Sequence, residues 1–115
     1  MRAMLTVSLL VALAAGPAFA DCSPPPDSVQ IPDGSTATRD QMIAAQRAVK
    51  AYDSAVKDYG SCLQQEENAK VAAGGDKDKL NAKYAKLNNE QVDKVTKVAA
   101  KFNDELRAYK AKNSG

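Results

Sequence analysis

Two cysteines, Cys22 and Cys62, are the residues of this 115-residue chain whose side chains have the clearest chemistry. Their spacing is far wider than the Cys-x-x-Cys of a redox pair. In an oxidising compartment a single pair of this kind favours one structural disulfide, with an intermolecular bridge or two free thiols as the alternatives. Asp21 directly precedes Cys22, where attachment of a lipid requires a small residue, so we do not expect a lipoprotein.

The side-chain arrangements that usually carry out catalysis or hold metals are missing from the sequence. There is no histidine, which is the commonest general base and transition-metal ligand. Gly74-Gly75-Asp76 lacks the lysine and the spacing of a phosphate-binding loop. Asp76, Asp78 and Glu90 do not have the spacing of a calcium loop. We therefore predict that the protein is not an enzyme and binds no metal or cofactor.

The first 20 residues have the pattern of an export signal. Arg2 provides a positive charge, residues 5–15 form a short apolar core, and Ala-Phe-Ala at 18–20 fits a cleavage site. The apolar core is too short to cross a bilayer, which takes about 20 residues. We expect cleavage between Ala20 and Asp21 and a periplasmic or secreted mature protein.

Charge patterning limits the classes of partner. The formal net charge is only +2, whereas a protein that neutralises nucleic-acid phosphates is strongly basic, so no nucleic acid is expected. We interpret the lysine-rich run from Lys77 to Lys101 as a solvated helix face and do not expect membrane contact, with anionic lipid or an acidic partner as the alternative. Four acid-before-base pairs at i, i+4 spacing are expected to form surface ion pairs: Asp53–Lys57, Glu66–Lys70, Glu90–Lys94 and Asp93–Lys97.

The mature chain begins with a proline-rich segment, residues 21–37, which we call the arm. Three consecutive prolines at 24–26 favour an extended conformation that joins neither a helix nor a central strand. Pro-Asp-Gly at 32–34 predicts a turn whose glycine can adopt a positive φ. Thr38 and Gln41 then have the spacing of a capping box, which predicts the start of a helix.

Apolar residues recur at alternating spacings of three and four through two long segments, the pattern of amphipathic helices with coiled-coil packing. The first segment, residues 38–73, ends at the glycine pair 74–75, and the second covers residues 76–112. Reflection about the glycines predicts an antiparallel hairpin within residues 38–115, with a break near 88–89 as the alternative to a continuous second helix. The opposed residues are Leu63 with Leu87, Val56 with Val95, Tyr52 with Val98, Val49 with Phe102, and Met42 with Tyr109.

A row of small residues follows one side of the first helix, where another segment of chain can approach closely. At about 3.1 Å per residue the arm is long enough to fold back along this side to a Cys22–Cys62 bridge. Gly60 is expected to leave room near that bridge. The small residues are Ala44, Ala48, Ala51, Ala55 and Cys62.

These patterns predict an all-α fold: a long antiparallel helical hairpin with a proline-rich N-terminal arm tethered by a disulfide. We expect a periplasmic interaction or structural role, with a small chaperone or envelope-stress protein as the first alternative and a peripheral binder of anionic membranes as the second. A hairpin this small buries little surface, so a homo-oligomer, a protein partner or a client is expected. The expected interaction surface consists of Tyr52, Tyr59, Tyr84, Phe102 and Tyr109.

Several blocks of the sequence resemble a family of short, exported proteobacterial proteins of uncharacterised function. They are Asp-Cys at 21–22 with the prolines that follow, Ile-Pro-Asp-Gly at 31–34, Val-Lys-Ala-Tyr at 49–52, Cys-Leu at 62–63 after a tyrosine, and Lys-Phe-Asn-Asp-Glu-Leu-Arg at 101–107. The similarity covers most of the mature chain. It implies an extracytoplasmic location and a cysteine pair, and it implies no activity, cofactor or ligand.

Overall fold

The structure, a computed structural model, describes residues 21–114 and consists of two long helices joined by a tight turn. The first helix, α1, comprises Arg39–Ala72, and the second, α2, comprises Lys77–Asn113. Within the described residues there is no strand. The helices pack on each other as an antiparallel pair, which confirms the predicted hairpin. The predicted export signal, residues 1–20, lies outside the described residues.

Local hydrogen bonds explain where α1 begins. The Thr38 hydroxyl accepts the Gln41 backbone N–H at 3.2 Å, and the Gln41 side chain accepts the Thr38 backbone N–H at 2.9 Å. This is a complete capping box, which satisfies N–H groups that have no partner within the helix. The predicted N-terminus is therefore confirmed.

The turn between the helices is built by two glycines. Gly74 has a φ of 95°, a conformation that residues with a Cβ rarely adopt. The Gly74 and Gly75 N–H groups donate to the carbonyls of Val71 and Lys70, each at 3.0 Å, so the helix ends in a Schellman motif. Asp76 then caps α2 by accepting the Lys79 N–H at 3.1 Å.

The core lies between the two helices and forms three clusters along their length. Each pair of residues that the sequence opposed lies within one cluster or packs against it. The second helix continues through residues 88–89, so the alternative of a break is not observed. The buried apolar members are Ala37, Met42, Ala45 and Phe102 in the first cluster, Tyr52, Val56 and Val95 in the second, and Tyr59, Leu63 and Tyr84 in the third.

The arm folds back along the hairpin and contributes to all three clusters. Ile31 packs against the first cluster, Val29 against the second, and Cys22 against the third. Because these clusters follow one another from the start of α1 towards its end, the arm runs antiparallel to α1. It closes one side of the two-helix core, as the row of small residues predicted.

Of the four surface ion pairs predicted from the sequence, two form. Asp53–Lys57 forms at 2.7 Å and Glu66–Lys70 at 3.3 Å. Glu90–Lys94 and Asp93–Lys97 do not form within the described structure, whose remaining ion pair joins Asp104 to Arg107. All of these groups are on helix surfaces, where an ion pair contributes only about 0–1 kcal/mol. A lysine that stays hydrated is therefore nearly as favourable as one that is paired.

Candidate functional site: the open face of the hairpin

The cysteine pair has a structural role. Cys22 and Cys62 form a disulfide with their Cα atoms 5.8 Å apart, a normal separation for such a bond. Cys22 also packs against the cluster that contains Tyr59 and Leu63. The bond therefore fixes the start of the arm onto the last third of α1, and the preferred sequence interpretation is confirmed.

The aromatic residues expected at an interaction surface lie in the interior instead. Four of the five are less than 10% exposed, and the fifth, Tyr109, is half-buried against the first cluster. Their spacing follows the core stripe of each helix, and the partner helix and the arm together cover that stripe. The four buried side chains are part of the hairpin core, whereas Tyr109 keeps part of its surface exposed. The four buried residues are Tyr52, Tyr59, Tyr84 and Phe102.

Burial also determines the chemistry of these phenols. Burial, with a smaller contribution from Asp27, raises the pKa of Tyr52 above its ordinary value of 10.0. Burial, assisted by Glu90 and Glu66, raises the pKa of Tyr59 in the same direction. Both phenols therefore stay protonated at neutral pH and act as apolar core groups. Neither has the lowered pKa that a phenolic base would need.

The turn of the arm makes the tightest contact with α2. The Gly34 N–H donates to the Glu105 carboxylate at 2.7 Å. A Cβ on Gly34 would lie 2.7 Å from the Glu105 carbonyl carbon and 3.0 Å from the Tyr109 nitrogen. The φ of Gly34 is not positive, so the sequence interpretation is corrected here. Glycine is needed at position 34 because the backbone of the arm lies directly against the backbone of α2, which leaves no room for a Cβ. Its conformational freedom is not the reason.

Hydrogen bonds within the arm hold this turn in shape. The Asp33 carboxylate accepts the Ser35 backbone N–H at 2.9 Å and the Ser35 hydroxyl at 2.6 Å. These bonds favour the charged carboxylate and hold the pKa of Asp33 below its ordinary value of 3.8. The Asp33 carbonyl accepts the N–H groups of Thr36 and Ala37. The turn is therefore held by hydrogen bonds within the arm as well as by the bond to Glu105.

The side of the hairpin opposite the arm is an open groove between α1 and α2, which we call the open face. Its wider part encloses about 710 Å³ and a second part, nearer the turn, about 250 Å³. No residue of the described arm lines either part. Gly60 belongs to this face, because the absence of a Cβ there leaves room for the Asn88 side chain. The expectation that Gly60 makes room for the disulfide is therefore wrong. The lining residues include Lys50, Asp53, Gln64 and Glu67 from α1, and Asn81, Ala85, Asn88, Thr96, Ala99 and Asn103 from α2.

The α2 border of the open face carries no charge over most of its length. Residues from Asn81 to Asn103 recur on it at spacings of three and four, so they lie on one side of the helix. Val92 falls in this series and is 42% exposed, the one large hydrophobic residue of the described chain that is exposed. The border gives no periodic signal in the sequence, because its small and amide side chains do not form an apolar stripe.

Two further properties of residues 21–114 concern metals and membranes. Among these residues, no three or more Cys, Asp or Glu side chains lie together in a way that could hold a metal ion. Neither α1 nor α2 contains an apolar stretch long enough to cross a bilayer.

Comparison with known proteins finds no matching protein-family model, and no significant match among curated proteins or solved structures.

Proposed function

We propose that this protein is a non-enzymatic interaction or structural protein of an oxidising, extracytoplasmic compartment, and that the open face is its contact surface. The single observation that carries the proposal is the asymmetry of the hairpin. The arm and its disulfide pack along one side of the two-helix core and leave about 520 Å³ between the arm and the start of α1. No residue of the described arm lines the groove of about 710 Å³ on the other side.

The chemistry of the open face suits helix packing better than the binding of a small molecule. Small-molecule sites are concave and bury most of their ligand, but this groove is open along its length between two helices. Alanines at 85 and 99 let a neighbouring helix approach closely, and Asn and Thr side chains can form hydrogen bonds to it. Because the border is uncharged, its burial avoids the cost of desolvating a charge, and its amide and hydroxyl groups need hydrogen-bond partners on the neighbouring helix.

The proposal can be tested by placing a photo-activated cross-linker at Thr96, on the open face, and irradiating cells of the source organism that express this variant. A discrete adduct is expected there. Lys94 is the matched control, because it is exposed and lies on the other side of α2. If Thr96 gives no adduct, or no more than Lys94 gives, the open face is not a contact surface and the proposal fails.

A second candidate, the binding of anionic membranes, is favoured by one specific observation. Six exposed lysines form a row along α2, and no carboxylate of the described chain pairs with them. Each lysine near an anionic bilayer contributes about 1 kcal/mol. Vesicles rich in acidic lipid should then bind the protein at low salt and release it at high salt; equal binding to neutral vesicles would remove this candidate. The lysines are Lys79, Lys83, Lys86, Lys94, Lys97 and Lys101.

The chaperone alternative has no comparable support. Holding an unfolded client requires exposed apolar surface. Among residues 21–114 the predicted apolar stripes are covered by the partner helix and the arm, and Val92 is the large hydrophobic side chain that remains exposed.

A further inference from the structure

The α2 border of the open face has the same chemical pattern in both directions from Val92. Polar residues stand four positions away on each side, alanines seven positions away, and asparagines eleven positions away. A two-fold axis through Val92, perpendicular to the helix, would therefore bring like side chains together. The pairs would be Val92 with Val92, Asn88 with Thr96, Ala85 with Ala99, and Asn81 with Asn103.

The α1 border carries one pair of opposite charges, Lys50 and Glu67, centred at the same level. Val95 packs with Val56 across the hairpin, so Val92 lies level with residues 58–59 of α1. The midpoint between Lys50 and Glu67 falls at this level. Rotation about the same axis would therefore bring Lys50 of each copy level with Glu67 of the other copy.

An antiparallel copy about this axis matches both borders at once, whereas a parallel copy does not. A parallel copy related by an axis along the helices would place α1 against α2, so that Lys50 would face the uncharged border. A contact in which the same patch serves both partners is the usual form of a protein homodimer. Helices packed in this way would form a four-helix arrangement.

The size of the open face agrees with a stable contact. The border from residue 81 to residue 103 is roughly 33 Å long at 1.5 Å per residue, and two helices side by side are roughly 20 Å wide. The contact would bury roughly 1,300 Å² in total, above the roughly 1,000 Å² that specific interfaces need.

We infer that the partner of the open face is the open face of a second copy of this chain, arranged antiparallel about a two-fold axis at Val92. The inference rests on the proposed function, which it deepens by naming the partner and the register.

Disulfide cross-linking of the folded, oxidised protein tests the register. A Val92→Cys variant should cross-link to itself under mild oxidation. Ala85→Cys and Ala99→Cys variants should each cross-link weakly alone and at least tenfold more when mixed. Lys94→Cys is the control, since it lies about 200° around the helix from Val92. Cross-linking of Lys94→Cys as readily as Val92→Cys, or no gain on mixing, would overturn the inference.

Exchange of charge tests the α1 border without any cysteine. Lys50→Glu and Glu67→Lys each place like charges opposite one another twice, so each should raise the dimer Kd about tenfold. The double variant restores opposite charges and should return the Kd to within about threefold of the parent. A double variant as weak as either single variant would contradict the register.

The two proposals fail in different ways. A discrete adduct between Thr96 and an unrelated protein, together with no cross-linking at Val92, would overturn the second-copy inference and leave the interaction function intact. The absence of any adduct and of any cross-link would overturn both.

Discussion

Replacing Gly34 with alanine should detach the turn of the arm from α2. The new Cβ would lie 2.7 Å from the Glu105 carbonyl carbon and 3.0 Å from the Tyr109 nitrogen, and closer still to the Glu105 carbonyl oxygen. These are main-chain atoms of a helix, which cannot rotate away as the end of a side chain can. The arm must therefore move and lose the hydrogen bond from the Gly34 N–H to the Glu105 carboxylate.

The expected cost follows from these two effects. A lost hydrogen bond to a charged group costs about 1.5–3 kcal/mol, and overpacking of a tight contact costs about 1–3 kcal/mol. Alanine offsets about 0.4–1 kcal/mol by restricting the unfolded chain. The free energy of unfolding should fall by about 2–5 kcal/mol in Gly34→Ala, measured by urea unfolding with helical circular dichroism.

Gly60→Ala is the matched control for this experiment. Gly60 lies in α1, and a Cβ there would meet only the side chain of Asn88, with its oxygen at 2.8 Å and its Cγ at 3.8 Å; that side chain can rotate aside. Alanine in a helix interior is favoured over glycine by about 1 kcal/mol. The control should therefore be neutral or stabilising. If Gly34→Ala is no more destabilising than Gly60→Ala, the backbone of the arm at Gly34 does not lie against the backbone of α2.

Three further predictions concern the bridge, the helix cap and the turn. Reduction of the disulfide, which spans a sequence separation of 40, should lower the free energy of unfolding by about 4 kcal/mol; an unchanged Tm with a reductant would mean that the bridge does not restrain the chain. Thr38→Ala removes the capping oxygen and should cost about 1 kcal/mol in urea unfolding, whereas Thr36→Ala should have little effect, and equal losses would argue against the cap. Because the pKa of Asp33 is lowered in the folded protein, its charged carboxylate stabilises the fold. This contribution is fully present above pH 3.8, the ordinary pKa of the group, and is lost as the pH falls through the lower pKa of the folded state. Asp33→Asn should abolish that part of the acid dependence of Tm, and an unchanged acid profile would exclude a contribution from the turn.

The hairpin could be predicted because its determinants are local or periodic. The capping box at Thr38 depends on residues three positions apart, and the end of α1 depends on Gly74 and Gly75. The pairing of Val56 with Val95 follows from the apolar period once the turn is located. Signals of these kinds are contained in short stretches of sequence, so no tertiary information was needed.

The contact of Gly34 with α2 could not be predicted in the same way. Gly34 and Glu105 are 71 positions apart, and nothing in the arm has a period that fixes its register on α2. A Pro-Asp-Gly sequence indicates a turn, but the reason for its glycine depends on the distance to another backbone. That distance is a tertiary property.

The candidate site was missed for a related reason. Apolar stripes in a sequence mark the core. Aromatic residues such as Tyr52 and Phe102, which the sequence predicts at an interaction surface, therefore lie where the second helix and the arm cover them. The open face consists of the positions next to the core stripe, where alanine, asparagine and threonine alternate. Its symmetry about Val92 becomes visible only when the arm is known to lie on the other side.

Light scattering on the oxidised chain from Asp21 to Gly115 shows whether the open face packs against a second copy. Twice the mass of one chain is expected at micromolar concentration or above. The mass of one chain is expected for Val92→Glu, in which two carboxylates would meet at the axis, and no change is expected for Lys94→Glu. A single-chain mass for the parent protein at every concentration, or a dimer that Val92→Glu leaves intact, would overturn the second-copy inference.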